Sequence, residues 1–467
     1  MLDFRGLIAT LEERGELLRI RRPVDPRYEM PALMQQVDGR RRAFLFEQVK
    51  GAKQRLVGGL LNRWECYGWV LGTRPGDPFT ATDLAQRLDA ARAGPIPPRT
   101  VATGPVKEVV HRGEQIDLGE LPAPTAFEFD SGAFITGGCG FTHNPQTGAL
   151  NVGIYRTLIL GRDRMLVNAN VNSDLHGFYE HAGRHGGRMP IALAIGVPPA
   201  LLIAAVCKPP ADQSEVGLAG ALQGQPLELV KCETSDLLVP ADAEMVIEGE
   251  VDCSEWFDNT LGEFVGHYGT DRSPVTRVTA ITQRRDAMHY CVMPGRNPEH
   301  NTLAGIAGFT FQQRVDEAIR RAVPQLLDLH VYLEPRLGSM CHAVIAIDKR
   351  DDAEPMAVIA AAFSAWLSLA GQDMPVEKMT KRVIVVDRDV DVHDFDDVEW
   401  AIWTRAVDAR KLHVLADVPS WSLERGAKPG RGSLRLAVDA TCDMEDREKL
   451  RRALIPGAAN YRLADYL

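Results

Sequence analysis

Asn151-Val152-Gly153-Ile154-Tyr155-Arg156 is the stretch on which the reading of this chain turns. Its β-branched and aromatic residues fit a pleated, half-buried surface, so it predicts a short strand. A period of two sends Asn151, Gly153 and Tyr155 to one face and Val152, Ile154 and Arg156 to the other. An amide oxygen and a forked carboxylate or phosphate binder within six residues suit a site holding an anion and a hard cation. The plainer reading, an edge strand with a solvated arginine and an asparagine in a turn, stands beside it.

Around this stretch, residues 101–300 form short β-rich runs punctuated by glycine: VATGPVKEVV, FITGGCGFTH, NVGIYRTLIL, RMLVNANV. They predict a β-barrel or sandwich with inserted helices at Phe178–His185 and at Ser214–Gln223, the latter N-capped by Ser214. The glycine clusters suggest close approach of backbone to a ligand. On the N-terminal side, Leu7, Leu11 and Leu17-Leu18 suggest an amphipathic helix, with a second from about Met30 and a strand at Arg42–Gln48. Thr82 is the expected N-cap of a helix within 78–92, and GPIPPRT (94–100) reads as a linker. After about 305 the pattern turns α/β. A helix is expected at Gln312–Ala322, strands at 341–347 and 381–386, helices at Ala353–Ala370 and 394–407, and a terminal helix at Met444–Leu454.

The 467 residues are too many for one core and suggest two to four domains. A net charge of −10 argues against sequence-independent nucleic-acid binding, although local arginines still decide anionic ligands. Eight scattered cysteines without CxxC spacing read as free thiols in a reducing compartment. The charged N-terminus lacks a signal-peptide core. The uncharged run Met189–Cys207 is broken by prolines and a glycine into halves too short for a bilayer, so no membrane span is expected and the protein reads as cytoplasmic.

Asp258 and Glu263 form a second notable pair, in DNTLGEFVGHYG. Five residues apart, they lie on opposite faces of a strand or roughly 140° apart on a helix, so they share a cavity only if the chain turns, which Gly262 permits. Two acids near one cation can divide into an ionised group and a proton donor. The alternative is a solvated acidic loop. Glu215 opens a helix, where it suits the dipole or serves as a hard-metal ligand. Asn172, Asp174, His176, His181 and His185 fall close by. No GxGxxG after a strand, GxxxxGK[ST], HExxH or GxSxG occurs.

Taken in order, Asn151-x4-Arg156, Ser214-Glu215, VKCETSDLLVPADAEMVIEG (230–249) and D-x4-E closed by Gly266-His267-Tyr268 resemble the UbiD family of reversible decarboxylases, which use prenylated FMN. KRVIVVDRDVDVHDFDDVEWAIWTRA (381–406) looks like that family's C-terminal domain. The resemblance implies an N-terminal α/β domain (1–98), a split β-barrel flavin domain (99–305) and an α/β dimerisation domain with a linker helix and tail (306–467).

It further implies that Asn151 and Glu215 hold a Mn²⁺ or Mg²⁺ ion bridging the flavin phosphate. Ile154, Tyr155, Arg156, Asn168, Ala169, Asn170, Ser173 and Asp174 would line the flavin. Arg156, Asp258 and Glu263 would form the catalytic network, with Glu263 protonating the product carbon. The family's metal-binding histidine falls on Asn172, with His176 as a substitute. The first carboxylate is Asp258 rather than the usual Glu, and the flavin lysine of the GSK…DAT motif falls on Arg435. The family's pocket wall falls on 294–305, where His300, Asn301 and Ala304 make a roomy, polar surface suited to an aromatic or heteroaromatic acid rather than a linear acrylic one.

Implied companions are K⁺, the carboxylic acid and CO₂, a flavin prenyltransferase as cofactor supplier, and a second copy in a homodimer or larger homo-oligomer. The competing reading is a plain FMN-binding oxidoreductase on a split barrel, in which the two acids and the arginine need not converge. A metal-dependent assembly subunit without flavin is the non-enzymatic reading.

Overall fold

The computed structural model describes residues 2–36, 41–171, 173–207, 213–306, 319–321, 323, 326–332, 341–368, 380–418, 424, 426–427 and 432–453. The chain divides into two compact units, Met1–Thr310 with Glu334–Ser339, and Phe311–Leu333 with Met340–Leu467.

In the first unit, Asp3 caps the Phe4–Glu13 helix by accepting from the Gly6 amide at 2.6 Å, and Phe4, Leu7, Ile8 and Leu11 are buried. The Leu17-Leu18 pair does not extend this helix. The chain turns at Gly15 (φ +67°), and Leu17–Ile20 becomes a strand parallel to Ala43–Phe46. That sheet runs on through Arg55–Gly58 to Met288–Cys291, a strand more than 200 residues away in sequence. One continuous hydrophobic core therefore reaches from Phe4 to Ile306. Residues 1–98 and 99–305 share that sheet and core and lie together in one compact unit. The proline-rich 94–100 segment is likewise anchored rather than free. Ile96 donates to Gly217 O at 3.0 Å, and Arg99–Val101 pairs with Glu228–Lys231.

The central sheet has nine strands among the described residues and curls into a half-barrel. Its order is Phe134–Ile135, Thr157–Ile159, Arg164–Val167, Tyr268–Gln283, Met245–Gly262, Arg188–Ile195, Gly138–His143, Leu150–Ile154, with Val109–Arg112 also pairing the Tyr268–Gln283 strand. The apolar 189–207 run is a strand to Ile195, a turn, and a helix begun by proline, Pro199–Val206. No helix among the described residues is long and apolar enough to cross a membrane. Thr80 rather than Thr82 caps the Ala81–Ala93 helix, because Asp83 completes a reciprocal capping box with it.

The second unit carries a sheet ordered Leu326–Tyr332, Cys341–Ile347, Thr380–Asp387, Ser433–Ala440, Leu412–Val418, with the inner three strands parallel. The Glu354–Ser368 helix connects two of the parallel strands, and Asp394 caps the Phe395–Arg405 helix. Of the helix expected at 312–322, only 319–321 are described and helical. The terminal helix expected from Met444 is one 3-10 turn, Met444–Asp446, followed by turns. Leu454 lies outside the described residues.

Candidate active site

Asn151 and Gly153 sit in the strand Leu150–Ile154, which pairs with Gly138–His143 so that Gly153 faces Gly140. The two glycines make room for a side chain. A Cβ on Gly140 would stand 2.6 Å from the Tyr155 ring, and one on Gly153 would stand 2.6 Å from its hydroxyl. Tyr155 is thereby laid back along its own strand, and its hydroxyl accepts from Asn151 Nδ2 at 3.2 Å. Burial pushes its phenol well up. The Asn151 hydrogen bond opposes this, and the Glu215 and Asp174 carboxylates add to it. Those two acids open the helices Glu215–Gln223 and Asp174–Arg184. Ser214 and Ser173 cap those helices, accepting from Gly217 and His176 amides.

His176 packs edge-on to Trp256 at 6.0 Å and stands 3.7 Å from Glu180, with a buried Nδ1 that makes no hydrogen bond among the described residues. Asn172 lies outside the described residues. Among the described residues no three His, Cys, Asp or Glu side chains gather as a metal site.

Arg156 follows the end of the strand, and its guanidinium is divided. Nη1 pairs with Glu263, Nη2 donates to Asp271 Oδ2 at 2.5 Å, and Nη2 also lies 3.5 Å from Asn170 Oδ1. Glu263 is nearly sealed, at 3% side-chain exposure, at the tip of the long hairpin formed by Met245–Gly262 and Tyr268–Gln283. Its own amide donates to His267 O at 2.8 Å.

The chain does not turn at Gly262, which still pairs with Tyr268. The turn comes after it, at Gly266 (φ +87°). Gly262 instead makes room for Phe127, whose ring a Cβ there would meet at 2.2 Å. Asp130 fixes this contact, accepting from the amides of Ala126, Phe127 and Gly262 at 2.8–3.0 Å. Burial raises its carboxyl above the ordinary range against those three bonds.

Asp258 does not join the arginine. Its side chain is 74% exposed and stands 3.8 Å from Arg272, its cross-strand neighbour. One position on, Asn259 is buried and exchanges hydrogen bonds with Asn168 at 2.6 and 3.0 Å. The sequence reading missed Asp271, Asn259, Phe127 and Asp130. Strand alternation through 258–262 and 268–272, had the hairpin been recognised, sends Asn259 and Asp271 to the same side.

The wall residues expected at 294–305 are carried on a helix, 298–306. Glu299 ties it down, accepting from Gly59 N at 2.7 Å, Leu61 N at 2.9 Å and Tyr290 Oη at 2.9 Å. Thr302 adds bonds to Leu61 O at 2.7 Å and Tyr67 Oη at 2.9 Å. His300 meets Phe264 edge-on at 5.6 Å. Burial lowers its imidazole to about 4, and the Arg156 charge contributes, so it is neutral at physiological pH. His300 Nδ1 and Asn301 Oδ1 are buried and make no hydrogen bond among the described residues, while Ala304 is half-buried. Ala169 is buried and Asn170 exposed beside Arg156. Arg435 belongs to the second unit, where it is buried 3.9 Å from Glu424 and donates to Leu434 O at 3.0 Å.

Residues 99–297 match the profile of the 3-octaprenyl-4-hydroxybenzoate carboxy-lyase Rift-related domain, 8–88 its N-terminal domain and 305–440 its C-terminal domain. The chain is 35% identical to the UbiD-class enzyme HmfF from Pelotomaculum thermopropionicum, solved with FMN, over 100% of both chains with a TM-score of 0.86. An evolved dimeric form of that enzyme, solved with prFMN, gives 35% identity over 100% of both chains and a TM-score of 0.81. The 3,4-dihydroxybenzoic acid decarboxylase AroY of Klebsiella pneumoniae is 26% identical, over 99% of this chain and 100% of its own, with a TM-score of 0.83. On these matches the chain belongs to the UbiD family of carboxy-lyases.

Proposed function

We propose that this enzyme decarboxylates an aromatic or heteroaromatic carboxylic acid on prenylated FMN, with Arg156 orienting the carboxylate and Glu263 returning a proton to the carbon that loses CO₂. The observation that carries this reading is the Arg156–Glu263 pair at the hairpin tip, with neutral His300 close enough to feel the arginine's charge. A guanidinium is the side chain best shaped to grip a carboxylate. A sealed carboxyl facing the same guanidinium is placed to pass a proton to the reacting carbon at short range. The unused polar atoms of His300 and Asn301 suit a ring that carries a hydroxyl or heteroatom.

The donors around Asn151 fit the implied cation. The Asn151 amide oxygen and the Glu215 carboxylate are hard oxygen donors suited to Mn²⁺ or Mg²⁺, and the ion would need further ligands, such as a phosphate or water, to complete its shell. Bound there, prenylated flavin would supply the electron sink for the carbanionic carbon. The chain's own part is narrower. Arg156 holds the carboxylate, the Phe127–Gly262 contact and the 298–306 helix exclude water, and Glu263 gives up its proton as CO₂ leaves and regains one from solvent.

Glu263→Gln, produced with a flavin prenyltransferase, should keep the bound cofactor's visible spectrum but lose CO₂ release and deuterium exchange into product. Wild-type turnover in that variant would remove Glu263 from the reaction. NAD(P)H oxidation on ordinary FMN with no CO₂ release would replace the whole reading by an oxidoreductase.

Self-association through the second unit is part of the proposal. Leu412–Val418 is an edge strand with Leu412, Val414 and Leu415 exposed, and Trp403 and Val407 are more than three-quarters exposed in the same unit. Such an edge invites pairing. Val414→Lys should shift the protein to a smaller species in sedimentation.

A further inference from the structure

Arg156 meets two carboxylates, and only one of them is the acid that spacing along the chain suggests. We infer that Asp271, on the returning strand of the hairpin, is the second carboxylate of the arginine site and positions its guanidinium. Asp258 takes no part in it. The inference rests on the decarboxylase reading for what that positioning achieves, and on the hairpin's geometry for which acid does it.

The parity of the strand decides the matter. Asp258 faces Arg272 across the hairpin, and Asn259 faces Asp271. Bringing Asp258 to Arg156 would take a slip of one residue, which turns every side chain of the strand to the other face. Two independent contacts oppose that slip. Asn259 is 2% exposed and locked into the reciprocal amide pair with Asn168, and its Nδ2 also reaches Asp271 O at 3.3 Å. Leu261, on the same face, is buried with Phe134, Leu158, Leu166 and Val275. A slipped strand would expose that leucine and strand two buried amides while drawing a charged group inward.

Asp271 reaches the arginine from the correct face without any slip, at 2.5 Å and with one-fifth of its side chain exposed. With Nη1 on Glu263 and Nη2 on Asp271, the planar fork is fixed in orientation by two anchors. Rotation about the last side-chain bonds would break one contact or the other, so the face offered to the substrate is constant. Asp271 acts through Arg156 and is a positioning residue.

The test compares Asp271→Asn, Asp271→Glu and Asp258→Asn as prenylated-FMN holoenzyme, assayed for CO₂ release from a panel of hydroxybenzoic, furoic and pyrrole carboxylic acids. Asp271→Asn should lower kcat roughly tenfold or more while KM does not rise, because removing a carboxylate leaves Arg156 more positive for the substrate. Asp271→Glu should restore part of kcat, and Asp258→Asn should match wild type. Unchanged kcat in Asp271→Asn, or a folded Asp258→Asn that loses turnover, overturns the inference.

A second arm needs no turnover: thermal melts of each Asn variant alone and combined with Arg156→Gln. The shifts should be non-additive with Asp271 and additive with Asp258. Additive behaviour at Asp271 also overturns the inference. Absence of turnover in wild type together with coupling at Asp271 would overturn the proposed reaction and leave the pairing intact.

Discussion

Replacing Glu299 by glutamine tests whether the wall helix is held by a carboxyl that prefers to be protonated. Glu299 is fully buried, and burial raises its carboxyl from the ordinary 4.5 to about 7, against the bonds from Leu61, Tyr290 and Gly59. The folded protein therefore binds this proton more tightly than the unfolded chain. The stability it brings is complete below about 4.5 and is lost as pH rises through about 7. The difference corresponds to about 3 kcal/mol, since each pKa unit is worth about 1.4 kcal/mol.

Glutamine keeps the shape and one acceptor oxygen but cannot ionise. It should cost stability at pH 5, where its amide meets a backbone N–H, and the deficit should shrink by about 3 kcal/mol by pH 8. In Tm this is a relative gain on the order of 3–5 °C for a unit of this size. Urea unfolding followed across that range, with calorimetry beside it, reads the effect directly. Parallel loss of stability in the two proteins from pH 5 to pH 8 would show that Glu299 does not titrate there and would refute the argument.

Gly140→Ala places a methyl 2.6 Å from the Tyr155 ring and should displace it, costing about 1–3 kcal/mol in stability and weakening FMN affinity in a fluorescence titration. Leu261→Ala should cost about 2–4 kcal/mol by urea unfolding, since it empties the centre of a small buried cluster beneath the hairpin. Arg5→Met removes the bonds at 2.6 and 2.8 Å to Glu244, a side chain 1% exposed. Arg284 at 3.6 Å still faces that carboxylate, so the expected loss is about 2 kcal/mol, below the cost of a stranded buried charge.

Local signals were legible in the sequence. The Ser214 cap, the helix starting near 394 and the break within 189–207 lie where short-range rules put them, and the ordered motifs from Asn151 to Tyr268 identify the family. Long-range pairing was not. Nothing near residues 55–58 announces that 288–291 will extend their sheet and join the two segments in one core. The choice between Asp258 and Asp271 is of the same kind. Spacing along one strand makes Asp258 and Glu263 look like partners, but strand parity and the Asn168–Asn259 pair are cross-strand facts. Nor does the sequence announce that Gly140 and Gly153 make room for Tyr155, two residues further on from Gly153.

The anchoring of the 298–306 helix bears on how this enzyme can change its diet. Glu299 and Thr302 hold the helix by its back, through backbone groups of residues 59–61 and the hydroxyls of Tyr67 and Tyr290, and none of those bonds involves His300, Asn301 or Ala304. If His300, Asn301 and Ala304 face the substrate as proposed, retention and recognition fall to different residues of one short segment. Mutational drift or a directed library at 300, 301 and 304 can sample new ring substituents with little tax on folding, whereas the same freedom at 299 or 302 would loosen the scaffold first.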